Sequence, residues 1–154
     1  TRIYVKAGRN CELIIKGIDV LETSLTIHMS DDCKVIIESG QRIRGPLTIN
    51  LSEATKVSIG KDCLFANSKI FTSDFHSVLD AGSGERINVA KDVLIGSKVW
   101  VASDALELKG SIIGSGSVIG AHSVISGTVP ANSVVAGNPG RVVKQNASWD
   151  EQMI

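Results

Sequence analysis

The chain has 154 residues, enough for one compact domain that buries a core without disulfides or metals. Sixteen basic residues balance sixteen acidic ones. There is no basic block to grip nucleic acid or an anionic bilayer, and no apolar run approaches the roughly 18 to 20 residues of a membrane span, so neither is expected as a partner. The start, Thr1-Arg2-Ile3-Tyr4, has no signal-peptide pattern, which points to the cytoplasm. A start without Met fits a trimmed chain or the back part of a longer one. Cys11, Cys33 and Cys63 are odd in number and widely spaced, as reduced structural thiols are.

Fifteen glycines and only 4% aromatic residues favour short strands and tight corners over a helical bundle. Residues 1–28 hold apolar runs at Leu13–Ile15 and Leu25–Ile27 in a loose frame and read as irregular early coils. From Met29 a step of six selects Val35, Gln41, Leu47, Glu53, Ile59, Phe65 and Phe71, then Val89, Ile95, Val101, Glu107, Ile113, Ile119 and Ile125. Twelve of these fifteen are apolar, well above the 43% hydrophobic content. Four residues after most frame positions stands a small or β-branched residue: Cys33, Val57, Cys63, Val93, Val99, Ala105, Ser111, Ser117 and Ser123. A period of six suits neither a helix nor one straight strand. It suits a short strand plus a corner, three to a coil, with the frame residue inside and the small residue at the corner. Gly60, Gly96, Gly114 and Gly120 follow frame residues, where backbone freedom is expected to help the turn. Glu53, Gln41 and Glu107 would be costly inside, so the frame is expected to slip there, with Leu106 and Leu108 turned in around Glu107.

Residues 72–88 break the period with charges, two glycines and His76, and read as a loop extruded from the prism. After Ile125 the repeat dissolves into turns before a basic strand, Arg141 to Lys144. Asn146 or Ser148 is expected to cap a helical turn through Trp149 to Glu151. The fold class is thus all-β: a left-handed parallel β-helix of hexapeptide repeats over 1–145, with an extruded loop and a short C-terminal tail, 146–154.

The hexad array, the His-bearing loop, Ile119-Gly-Ala-His-Ser-Val-Ile125, Val129-Pro130 and Gly137-Asn-Pro-Gly-Arg-Val-Val-Lys144 together resemble the hexapeptide-repeat acyltransferases over about residues 29–145. Within that family the chain looks most like the sugar O-acetyltransferases, the maltose and galactoside group and its capsular polysaccharide relatives. Ser73-Asp-Phe-His-Ser77 and Gly84-Glu-Arg-Ile-Asn88 are most similar to the capsular branch. The resemblance implies acetyl-CoA as acyl donor, no metal, a sugar-like acceptor, and a homotrimer with sites between subunits. It implies that His76 is the catalytic base and that Trp100 matches a Trp that follows the Val of the coil after the loop; from that place beside the loop Trp100 is expected to belong to the catalytic site and shield the thioester from water. By the same resemblance Ser103 and Ala121 line the pantetheine arm, Ser126 and Gly127 occupy the place of a Thr-Lys pair, and Arg141 and Lys144 lie near the CoA phosphates. Gly127 departs from the usual Lys, and Glu107 from the usual Ile.

The chemistry fits those residues. A sugar hydroxyl is scarcely ionised at neutral pH, and an imidazole is suited to take its proton. Asp74, two residues upstream, is a candidate to hold the imidazole tautomer, with Asp80 its rival. Backbone N–H groups would stabilise the oxyanion. No Cys lies in the loop, so direct transfer is simpler than an acyl-enzyme. His28 and His122 fall on coil strands and read as structural, and Gly114-Ser-Gly-Ser-Val-Ile-Gly120 reads as repeat punctuation.

Other readings are N-acetylation of an amino sugar or antibiotic, a non-catalytic β-helix assembly protein, and a three-histidine zinc enzyme of the γ-carbonic anhydrase kind. The last is disfavoured because His28, His76 and His122 are 48 and 46 residues apart.

Overall fold

The computed structural model describes residues 1–154 and contains strands but no helix. The strands stack in three parallel sheets, the faces of a triangular rod. The first face is β1 (Arg2–Ala7), β4 (Ser24–Met29), β7 (Leu47–Leu51), β10 (Ser68–Phe71), β13 (Leu106–Glu107) and β16 (Val124–Ile125). The second is β2 (Glu12–Ile15), β5 (Lys34–Ile37), β8 (Lys56–Ile59), β11 (Val93–Ile95), β14 (Ile112–Ile113) and β17 (Thr128–Val129). The third is β3 (Ile18–Leu21), β6 (Gln41–Ile43), β9 (Leu64–Phe65), β12 (Trp100–Val101), β15 (Val118–Ile119) and β18 (Val134–Ala136), edged by the antiparallel β19 (Arg141–Lys144). This is the parallel β-helix that the hexads predict.

Coil length shortens along the rod, from 22 residues early on to 18 and then 16 in the last turn. Leu94 pairs with Ile112, and Trp100 with Val118, each 18 residues on, as three hexads require. In the early coils Leu25 pairs with Leu47, and Lys34 with Lys56, 22 residues on. The step of six still finds inward residues there because 6 and 22 are both even. Side chains alternate along a strand, so an even step keeps the same side inside. From Leu25 to Phe65 the buried apolar residues are odd-numbered, with Leu64 at 8% the single exception. One slip changes this: on β10 Ser68 and Ile70 point in, which puts the frame residue Phe71 on the outer surface. Two other frame positions fail. Glu53 sits exposed at a corner with φ 60°, and Val89 is 55% exposed at the end of the extruded loop.

Gln41 and Glu107, by contrast, do point inward, both 0% exposed, and the expected slippage does not occur. Leu106 and Leu108 stay only partly buried on the outer side. Gln41 Nε2 meets the Gly60 carbonyl at 2.7 Å, so much of its polarity is satisfied. Neither carboxylate oxygen of Glu107 has a partner.

The corners also differ from expectation. The left-handed residue stands just before the small buried one: Asp32 before Cys33, Lys98 before Val99, Asp104 before Ala105, His122 before Ser123. His122 is therefore a corner residue rather than a strand residue. Gly114 is needed for a different reason than turning. A Cβ there would lie 2.3 Å from the backbone nitrogen of Ala131, so only glycine lets adjacent coils approach. Corner serines replace apolar residues without leaving orphan hydroxyls, as when Ser117 Oγ donates to the Pro130 carbonyl at 2.8 Å.

The tail forms no helical turn. It runs back along the third face as an extended strap, tied by Ala147 N to Asn132 O at 2.9 Å and by Trp149, which is 8% exposed. The Trp149 indole donates to the Lys98 carbonyl at 2.8 Å, and Glu151 pairs with Arg42 and Arg44. Burying an indole against a rigid face outweighs the weak propensity of a terminal turn to wind into a helix.

Candidate active site

The extruded loop leaves the first face after Phe71 and re-enters the second at Val93. It is a narrow antiparallel finger. Leu79 bridges Arg86, Ile87 N donates to Val78 O at 2.9 Å, and Asp80 caps the tip by accepting the amides of Gly82 and Ser83 at 3.0 and 2.7 Å. Those amides, Ser83's foremost, hold the Asp80 carboxyl below its ordinary range.

The base of the finger is fixed by two polar clusters. In one, Arg86 makes a two-pronged pair with Glu53 at 2.7 and 2.8 Å, and Ser73 Oγ donates to the same carboxylate at 2.8 Å. Arg86 first, then Ser73, brings the Glu53 pKa down to about 2. In the other, Asn88 uses both ends of its amide. Its oxygen accepts Val78 N at 2.7 Å and Arg86 Nε at 3.2 Å; its nitrogen donates to Asp74 Oδ2 at 2.7 Å and to the His76 carbonyl at 2.8 Å. Lys109, on the next coil, reaches Asp74 and also donates to the Asn88 carbonyl at 3.0 Å. Lys109, ahead of Asn88, lowers the Asp74 pKa.

His76 thus stands exposed at the root of the finger with its main chain pinned. Asp74, the predicted orienter of its imidazole, is committed instead to Lys109 and Asn88, and Asp80 to its own turn. Within one chain neither holds the imidazole, so Asp74 bears on His76 through Asn88. Beside the loop root, Phe71, Phe75, Leu108 and Lys109 line a groove of about 310 Å³ over the first face.

The residues carried over for the acyl donor frame this same face. Ser103 and Ala121 lie one 18-residue coil apart at the corner entering it, linked by the bond from His122 N to Ser103 O at 2.9 Å. Ser126 and Gly127 lie at the corner leaving it, after β16. Arg141 and Lys144 are exposed on β19, at the C-terminal end of the third face. Trp100 lies on the third face, not the one that launches the loop. Its ring packs against Trp149 at a centroid distance of 6.0 Å, beneath Arg42, whose guanidinium is 5.8 Å from the Trp149 ring. Asn88, Lys109, the Glu53–Arg86 pair and Trp149 were not singled out by sequence reasoning. Glu53 and Arg86 are 33 residues apart, and nothing local links them.

The cysteines stand apart from this chemistry. Cys33 and Cys63 are buried corner residues, and burial pushes the Cys63 thiol up to about 11. No three His, Cys, Asp or Glu side chains converge as a metal site would need.

Comparison with known proteins agrees with the fold. Residues 92–127 match the bacterial transferase hexapeptide (six repeats) family. A polysialic acid O-acetyltransferase of Neisseria meningitidis is 33% identical over 165 aligned positions, covering 98% of this chain and 76% of that protein. One from Escherichia coli O1:K1 / APEC is 45% identical over 94 residues, 60% of this chain but only 31% of its own length. The crystallographically analysed polysialic acid O-acetyltransferase OatWY superposes with a TM-score of 0.83 at 34% identity, over 99% of this chain and 72% of its own. A galactoside acetyltransferase in complex with coenzyme A shares the fold at a TM-score of 0.57 and 18% identity, over 88% of this chain and 64% of its own. With the coils and the length of these alignments in agreement, the chain belongs to the hexapeptide-repeat acetyltransferases, among the relatives of the polysialic acid O-acetyltransferases.

Proposed function

We propose that the protein moves an acetyl group from acetyl-CoA to a hydroxyl of an acidic capsule-type polysaccharide, with His76 as general base. The observation that carries this reading is the 33% identity with the Neisseria polysialic acid O-acetyltransferase along 98% of the chain. His76 Nε2 takes the proton of the acceptor hydroxyl as its oxygen bonds to the thioester carbonyl carbon. The carbon–sulfur bond then breaks, and the proton passes from the imidazolium to the CoA sulfur. The acyl donor lies along the first face between Ser103 and Ala121 at one edge and Ser126 and Gly127 at the other, with Leu106 and Leu108 as apolar floor. Arg141 and Lys144 serve the CoA phosphates. A homotrimer, working in the cytoplasm where acetyl-CoA is made, brings Trp100 of one copy toward the finger of the next.

A free-thiol assay tests the reading directly. Polysialic acid with acetyl-CoA should release CoA at a rate set by polymer concentration. Release no faster than acetyl-CoA hydrolysis without polymer would defeat it.

A further inference from the structure

The charges of this neutral chain are unevenly spread over its three faces. The second face shows Glu12 paired with Lys34, and the third carries Asp19 together with the acids of the strap. From the first face, across all six strands, Arg2, Lys6 and Lys69 point outward and not one carboxylate does; Glu107 of β13 points into the core. Carboxylates along its borders are already held: Glu22 by Arg44, Asp31 by Arg9, Glu53 by Arg86, Asp74 by Lys109. Asp104 accepts the Asn67 amide. A chain with sixteen charges of each sign has therefore kept one whole face free of outward negative charge.

That face is also grooved. Lys6, His28, Asn50, Ser52 and Phe75 line a groove of about 350 Å³. Phe75 lines both this groove and the one at the root of the His76 finger, so the two are neighbours on one face. Strand register makes a column of it: Lys6 lies opposite His28, His28 opposite Asn50, and Asn50 opposite Phe71. Three rungs at the ordinary strand spacing span about 14 Å. Along this column run a cation, an imidazole, an amide and the Phe71 ring, with Phe75 packed against Phe71 and Tyr4 edge-on to His28 at 5.6 Å between ring centroids. Hydroxyls and amides match the hydrogen-bonding rim of a sugar, the faces of aromatic rings match its C–H faces, and lysines match its carboxylates.

We infer that the outer surface of the first face, from Lys6 to Phe75, is an extended binding track for an acidic polysaccharide, which delivers one hydroxyl at a time to His76. This rests on the acetyl-transfer reading for its purpose but not for its test. Favourable field along the whole face steers and holds a polyanion, whereas a single sugar fills one rung only. Affinity should therefore grow with chain length.

The test is a titration of the full chain with polysialic acid oligomers of graded length, without acetyl-CoA. Lys6 and Lys69 are exposed, so the double variant Lys6→Glu/Lys69→Glu should keep its fold, checked by its melting temperature. Affinity for long oligomers should drop by about ten-fold or more, and the length dependence should flatten. Lys56→Glu, on the second face, should bind as the unaltered chain does. Three results would overturn the track: double-variant affinity within about two-fold of the parent, an equal loss from Lys56→Glu, or polyglutamate binding as tightly as the glycan. The two readings fail separately. Tight, length-dependent binding without CoA release sinks the acetyl transfer alone; CoA release that the Lys6/Lys69 reversal leaves unchanged, with unchanged binding, sinks the track alone.

Discussion

Asn88 donates its side-chain amide to the main-chain oxygen of His76 over 2.8 Å while the same nitrogen holds Asp74 at 2.7 Å. Asn88 is 9% exposed and closes the finger that begins with the residues it grips. Its removal frees the root of the loop without touching the reacting atoms. Asn88→Ala should lower kcat by up to about 100-fold through misplacement of the imidazole, with the KM for acetyl-CoA changed little. Asn88→Asp keeps the shape but turns donors into acceptors facing a carbonyl and a carboxylate, so it should be no better than Ala. Steady-state kinetics on both variants check this, and an Asn88→Asp enzyme with parental kcat would refute it.

Glu107 makes the stability of the rod depend on pH. Its side chain occupies an inward position stacked between Ile70 and Ile125, and burial without a partner raises its pKa to about 8. Between the ordinary value of 4.5 and about 8 the folded chain binds a proton that the unfolded chain has lost. The Glu107 contribution is therefore most favourable below about pH 4.5 and declines as pH rises across that window, by about 1.4 kcal/mol per unit at most. Denaturant melts at pH 6 and 8 should show the decline. Glu107→Gln should flatten it, and Glu107→Leu should be the more stable protein at pH 8, by about 1–4 kcal/mol. A decline that survives Glu107→Gln would assign it elsewhere.

Trp149 tests whether the strap is part of the fold or lies loosely on it. It belongs to no strand ladder, so its loss can undock the tail while the prism stays whole. Trp149→Ala should make residues 145–154 sensitive to carboxypeptidase and shift the emission of Trp100, the one tryptophan left. The free energy of global unfolding should fall by less than the roughly 3–5 kcal/mol expected for a Trp→Ala change in a closed core. A protease-resistant tail in that variant would contradict the docking.

Much of this architecture is legible in the sequence because alternation is a local property. Stepping from Ile95 through Ile125 reads 18-residue coils directly, and it also finds Val35 and Leu47 in coils of 22, since any even step preserves the side of the sheet. Coil length itself is hidden for the same reason. The interior place of Glu107 is not legible, because an ionised carboxylate there would be very costly and only its neutral form makes burial tolerable. The extruded loop is legible from its break in period, and His76 from the resemblance. Asn88, Lys109 and the Glu53–Arg86 pair come together only when coils stack, joining residues 14 to 35 apart with no sequence periodicity to announce them. The strap is likewise a tertiary outcome: Trp149 finds Lys98 from 51 residues away.

The central claim is that the imidazole of His76 accepts the acceptor's proton. The measurement that bears on it most directly is kcat for acetyl transfer from acetyl-CoA to polysialic acid by His76→Asn, with acetyl-CoA affinity measured in parallel. A fall of about 10²–10⁴ in kcat with affinity intact is predicted. Turnover within about two-fold of the parent enzyme would remove His76 from the chemistry and with it the mechanism proposed for this fold.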